Sequence, residues 1–200
     1  VNCLIYWGSS ALTAGRYHYD FTMAFDRKVP LLPVFVWFYI LAFPFWAVGY
    51  LLAARRGKDM FYRFVATDLT IHFICFICFI LIPTTNIRPE IPGNTLSEKI
   101  LALVYSLDGG NSPSNLFPSI HCYVSWMCWK GVEGSEKVPK WYQRFSLVFA
   151  ILIIISTQVL KQHYIVDAAA ALLLVEFFWR FYQKGQRHKW VVHVFAHKKK

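Results

Sequence analysis

Residues 29–54 read VPLLPVFVWFYILAFPFWAVGYLLAA, without a charged side chain between Lys28 and Arg55. A helix of about 20 apolar residues crosses a hydrocarbon core, and this block exceeds that length. Residues 69–87, LTIHFICFICFILIPTTNI, form a second uncharged block. Further ones lie between Asp108 and Lys130, between Arg144 and Lys161, and from Asp167 towards VEFFWRFY. The opening VNCLIYWGSSALTAG is also uncharged but short, as though a first helix were truncated. The expected fold is all-α: one polytopic membrane domain over residues 1–200, with six transmembrane helices.

Composition agrees. The chain is 56% hydrophobic and 16% charged, against about a quarter charged in soluble domains. There is no internal repeat, and no basic segment precedes the first apolar block, so a cleaved signal peptide is not expected. The net charge of +10 reads as a topology signal rather than a nucleic-acid site. Arg55, Arg56, Lys58, Arg63, Lys130, Lys137, Lys140, Arg144 and a basic tail over about 183–200 fall on one side. The other side carries Arg16, Arg27, Lys28, Arg88, Lys99 and Lys161. Basic residues stay inside, so the C-terminus is expected in the cytoplasm and the 83–117 loop outside. The terminal HKKK suits anionic headgroups.

Within that loop Thr95 and Glu98 form a capping box, followed by Leu96, Ile100, Leu103 and Leu107 at helical spacing. An amphipathic helix in the membrane interface is expected, either roofing a site or merely packing. Cys75 and Cys78 lie inside an apolar span without a second ligand pair, so they read as small hydrophobes. No metal cluster and no cofactor motif is visible. His72, deep in the same span, reads as structural.

Ionisable groups at membrane depth are functional candidates, and several gather at helix ends on the outer side. Arg88 stands in NIRPEI; Ser119 and His121 in FPSIHC; Lys161, His163 and Asp167 in STQVLKQHYIVDAAAA. His163 and Asp167, four apart, share a helix face. Such a pair either caps a helix end or fixes an imidazole tautomer for chemistry. Pro118 suits the first helical position. That would put Ser119 and His121 in a first turn whose free amides make an anion site, or simply start a helix. Arg88 and Lys161 have no carboxylate spaced to neutralise them locally; Arg matches phosphate geometry, though both can also snorkel to headgroups.

These motifs resemble the PAP2 superfamily, the type 2 phosphatidic acid phosphatases, whose patterns are K-x6-R-P, P-S-G-H and S-R-x5-H-x3-D. Arg88-Pro89 is similar to the end of the first. Pro118-Ser119-Ile120-His121 resembles the second, and Ser156-Thr157 through His163 to Asp167 the third. The resemblance implies a six-helix, metal-independent membrane enzyme without a cofactor, acting on a membrane lipid phosphate. It implies His163 as the nucleophile forming a phosphohistidine, Asp167 as its orienter and His121 as general acid. Ser119 and Arg88 would bind phosphate oxygens. Leu81 and Thr157 stand where the family has cations, and Lys161 is placed to replace one of them. His163-Tyr164 also resembles the sphingolipid synthase branch, which passes a phosphorylated headgroup to another lipid. The expected activity is thus a lipid phosphatase of the cell membrane facing outwards. The alternatives are a lipid phosphotransferase and a non-catalytic lipid-binding or transport protein. The lipid and the oligomeric state are not specified.

Overall fold

The computed structural model describes residues 2–110 and 113–192. The terminal HKKK lies outside the described residues, as does the end of the basic tail. Eight α-helices account for most of the described residues. α1 (Asn2–Thr13) is followed by the two-residue strand β1 (Tyr19–Asp20) and the short α2 (Ala24–Lys28). α3 (Val36–Arg55) and α4 (Lys58–Leu81) form a hairpin. The strand β2 (Thr84–Thr85) pairs in parallel with β1. α5 (Leu96–Leu107), α6 (Ile120–Val132), α7 (Lys140–Val159) and α8 (Ile165–Gln183) complete the order.

α3, α4 and α7 are long and apolar enough to cross a membrane. Against the six spans expected, α1 has 12 residues and α6 has 13, fewer than a spanning helix needs. The uncharged block after Asp108 is helical only from Ile120, because residues 113–119 form the connection into the site. α8 has 19 residues but carries Asp167, Glu176 and Arg180.

Burial follows the helical period. On α4, Phe64, Thr67, Asp68, Ile71, His72, Cys75 and Phe79 are buried, whereas Phe73, Ile77 and Leu81 on the opposite side are exposed. An exposed stripe of that kind suits lipid rather than water. α6 is the centre of the bundle. Cys122, Tyr123, Val124, Met127 and Cys128 are buried on successive faces and pack against residues of α3, α4, α7 and α8. His72, expected to be structural, is buried: its Nδ1 lies 2.9 Å from the Asp68 carbonyl, and its ring meets the Tyr123 hydroxyl at 2.7 Å. Cys75 and Cys78 are free thiols.

α3 and α6 approach closely at Gly49, where an added Cβ would stand 2.5 Å from Cys128 Sγ and 2.7 Å from its Cβ. Overpacking of that kind costs about 1–3 kcal/mol. Gly49→Ala should therefore lower the unfolding midpoint of the detergent-solubilised protein, while Gly8→Ala, inside α1 with open space around it, should not lower it.

α5 begins on the expected capping box, with Glu98 N donating to Thr95 Oγ1 at 3.2 Å and Thr95 N to Glu98 Oε2 at 3.1 Å. Leu101 and Tyr105 face the protein, whereas Leu96, Leu103 and Leu107 are exposed. The helix is therefore apolar on both sides, and its inner side reaches the site described next.

Candidate active site

The turn from α7 into α8 sets the site. α7 ends at Val159, and the amides of Gln162 and His163 both return to the Thr157 carbonyl, at 2.9 and 3.1 Å. Lys161 takes a left-handed backbone (φ 53°), an uncommon state for a long side chain. α8 then starts on Asp167, whose Oδ2 accepts from Tyr164 N at 2.9 Å.

His163 is buried and presents Nδ1 3.0 Å from the Leu116 carbonyl and 3.4 Å from Asp167 Oδ2. The shorter contact is the hydrogen bond. A carbonyl can only accept, so Nδ1 carries the proton and Nε2 is left as the basic nitrogen. The backbone of residue 116 thus orients the ring. Asp167 places a buried carboxylate beside it and caps α8, so the capping reading of this pair is seen, while the tautomer is set by the Leu116 carbonyl. Leu116 is held in turn by Thr84, whose Oγ1 accepts from the amides of Leu116 and Phe117, each at 3.0 Å.

His121 lies in the first turn of α6, its ring centroid 6.2 Å from that of His163. It stacks on Tyr39 at 4.2 Å and meets the Trp46 and Phe43 rings at 5.0 and 5.8 Å. Its Nε2 is buried without a hydrogen-bond partner among the described residues. A buried polar atom left unpaired is costly, and here it stands beside the other histidine.

Pro118 is not the first helical residue. The helix starts at Ile120, with Ser119 as an extended N-cap whose Oγ accepts from Cys122 N at 3.3 Å. Serine is a far better N-cap than proline, which shifts the start by two residues. The capping bond uses an acceptor lone pair of Ser119, and the hydroxyl proton remains available to a ligand. Ile120, in the place of the family's glycine, is buried and joins the central core.

Arg88 is buried and heavily engaged. Its Nη1 donates to the carbonyls of Asp108 (2.9 Å) and Gly110 (3.0 Å), and its Nη2 to Asp108 Oδ2 and Gln162 Oε1. Tyr105 lies under the guanidinium at 4.6 Å. The sequence reading gave Arg88 no neutralising carboxylate nearby; Asp108, brought in at the end of α5, supplies one. Tyr6 of α1 donates to the other oxygen of that carboxylate.

Lys161 is also placed. Its Nζ donates to the carbonyls of Asp26 (2.8 Å) and Val29 (2.5 Å), tying the α2 segment down across the α7–α8 turn. Burial holds its ammonium below the usual lysine range, opposed by the charge of Asp26. Asp26 itself is buried and accepts from Ile165 N at 2.9 Å and Met23 N at 2.8 Å. Tyr164 donates to Asp20 Oδ1 at 2.8 Å. Residues 19–29 therefore form a strap over this end of the bundle.

Beneath the strap lies a cavity of about 330 Å³ whose wall includes Arg27, Asn86, Arg88, Lys161 and His163. Three of the six residues expected in a site thus share one cavity. Ser119, His121 and Asp167 do not line it and pack around His163. Asn86 and Gln162 were not singled out from the sequence. Asn86 donates to the Lys161 carbonyl at 2.8 Å, while its Oδ1, Gln162 Nε2, Arg88 Nε and Asp167 Oδ1 are buried and unpartnered among the described residues. Their only sequence signal was position, beside Arg88 and His163. Nothing in the local pattern marks Asp26, Thr84 or Asp108.

The family model of the PAP2 superfamily matches residues 17–180, which include the strap, both histidines and the whole cavity wall. The chain belongs to the PAP2 superfamily. No curated protein and no solved structure matches it. As a PAP2 superfamily member with apolar helices of spanning length, the chain is a membrane protein of a phosphatase-type family. The match begins after α1, so Tyr6 and its bond to Asp108 lie outside the region that defines the family.

Proposed function

We propose that the protein is a membrane lipid phosphatase working through a phosphohistidine. The observation that carries this reading is His163, its Nδ1 proton held by the Leu116 carbonyl, at the wall of a cavity shared with Arg88 and Lys161. The substrate is a lipid phosphate monoester or diphosphate of the phosphatidic acid, phosphatidylglycerol phosphate or polyprenyl phosphate type. His163 Nε2 attacks phosphorus, the P–N bond forms and the P–O bond to the lipid breaks. His121 supplies the proton taken by the departing alkoxide. Water then attacks the phosphohistidine, its proton returns to His121, the P–N bond breaks, and phosphate leaves with the His163 imidazole restored. Asp167 stabilises the imidazolium, and Arg88 Nε, Ser119 Oγ and Gln162 Nε2 are donors for phosphate oxygens. Lys161 adds positive potential and holds the strap. No step draws on a metal ion, so phosphate release from phosphatidic acid is expected to persist in excess chelator.

One observation favours a second reading, transfer of a phosphorylated headgroup to a lipid alcohol. Asp108 offsets the charge of Arg88, and Leu81 and Thr157 replace two family cations. A monoester carries nearly two negative charges at neutral pH, whereas a phosphodiester headgroup carries one and needs fewer cations. Both reactions share the phosphohistidine step and differ in the acceptor. Purified protein given headgroup-labelled phospholipid and a second lipid alcohol decides between them. Label on the acceptor lipid without free phosphate establishes transfer; free phosphate from phosphatidic acid establishes hydrolysis.

The asymmetry of the basic loops supports an orientation with the histidine end outside the cell membrane and the C-terminus in the cytoplasm. Glu90 is exposed at that end. A Glu90→Cys variant in intact cells should react with an impermeant maleimide, whereas Lys137→Cys at the opposite end should react only after permeabilisation.

A further inference from the structure

At the end of the bundle remote from the histidines, a second cavity of about 360 Å³ opens between the ends of α3, α4, α6 and α8. Its wall sets four cations, Arg56, Arg63, Lys130 and Arg180, against two carboxylates, Glu133 and Glu176. Both carboxylates are taken. Lys130 Nζ lies 3.0 Å from Glu133 and 3.3 Å from Glu176, and Arg180 lies 3.4 Å from Glu176. Among the described residues, neither Arg56 nor Arg63 has a carboxylate within ion-pairing distance.

The two arginines are held by neutral groups instead. Arg56 Nη1 donates to the carbonyls of Gly131 (3.0 Å) and Glu133 (2.9 Å). Arg63 Nε donates to the Trp179 carbonyl and Nη2 to Gln183 Oε1, both at 3.1 Å, with the guanidinium 4.1 Å over the Trp179 ring. These bonds orient the guanidinium groups without neutralising them. Arg63 is only 8% exposed, and a desolvated charge lacking a counterion is expensive. The missing partner is an anion that accepts from two guanidinium groups, and phosphate has that geometry. The site lies at the termini of α3 and α4, both of membrane-spanning length, where lipid headgroups reside.

We infer that this cavity binds a phosphate group, carried by an anionic lipid headgroup, as a site separate from the histidines. The occupant is not turned over. Bridging Arg56 and Arg63, it links the α3–α6 pair to the α4–α8 pair and stabilises the bundle. This assignment holds whatever His163 does.

The test uses the full chain in a neutral detergent. Dioctanoyl phosphatidylglycerol, dioctanoyl phosphatidylcholine and inorganic phosphate are titrated separately, with binding read by native mass spectrometry and stability by the unfolding midpoint. Phosphatidylglycerol should bind and raise the midpoint, and phosphatidylcholine should do neither. Arg56→Gln should weaken phosphatidylglycerol binding by about tenfold or more, as removing one partner of a desolvated charge pair does. Lys58→Gln, an exposed change outside the cavity wall, should not. Arg63→Gln is the second variant, and the Arg56 result stands alone if it fails to fold. Inorganic phosphate that binds in an Arg56-dependent way while the lipid does not supports the phosphate site and assigns it to a soluble ligand. Equal phosphatidylglycerol binding by wild type, Arg56→Gln and Lys58→Gln overturns the inference.

Discussion

His163→Ala should abolish phosphate release from phosphatidic acid, with a loss on the order of 10⁴-fold or more, as for other nucleophile deletions. The same variant should fail to accumulate the acid-labile, base-stable phosphoenzyme that the wild type forms when quenched during turnover. The fold should survive, because the ring contributes one hydrogen bond to the Leu116 carbonyl and no core layer. A properly folded His163→Ala protein with wild-type turnover would remove His163 as the nucleophile, whereas no turnover by the wild type itself would leave a lipid-binding or transport role. Asp167→Asn is a useful companion. It keeps an oxygen for the Tyr164 amide and removes the charge beside His163, so its defect should appear in turnover more than in stability.

His121→Ala is expected to cost about 10²–10⁴-fold on a lipid phosphate, the range of general acid–base catalysis. The leaving group supplies the decisive comparison. An alkoxide needs a proton in the transition state; a nitrophenolate does not. The defect should therefore shrink strongly on p-nitrophenyl phosphate, whereas the His163→Ala defect should be equally severe on both substrates. A His121→Ala loss of the same size on both would make the residue a packing or phosphate-binding element. Its stacking on Tyr39 makes some loss of stability unavoidable, so His121→Gln, closer in shape, is the second variant. The ratio of the two substrates is informative in either.

Residues 29–54 marked a membrane helix, and α3 takes up that block from Val36 onward. The capping box at Thr95 and Glu98 was legible because both partners lie within one helical turn. The same holds for the His163–Asp167 spacing and for the helix start near Ser119. Such features depend on local geometry, and local geometry is written in consecutive residues. The displaced helix start at Ile120 is a local competition in which serine outranks proline as a cap.

The rest of the site has no such signature. Arg88 looked like a free cation until Asp108 and Gln162 met it in space. Lys161 looked like a phosphate ligand, yet its Nζ is given to carbonyls at Asp26 and Val29. The strap over residues 19–29 is held by Tyr164 and Ile165, and the basic cavity at the far end joins four helices. The sequence by itself determined a helical membrane protein and singled out candidate site residues, because hydrophobic period and motif spacing are properties of neighbouring residues. Only the tertiary structure decided which charges are neutralised, which nitrogen of His163 is free and which cations stand unpaired. Those depend on contacts between segments far apart in the chain, and such contacts leave no period in it.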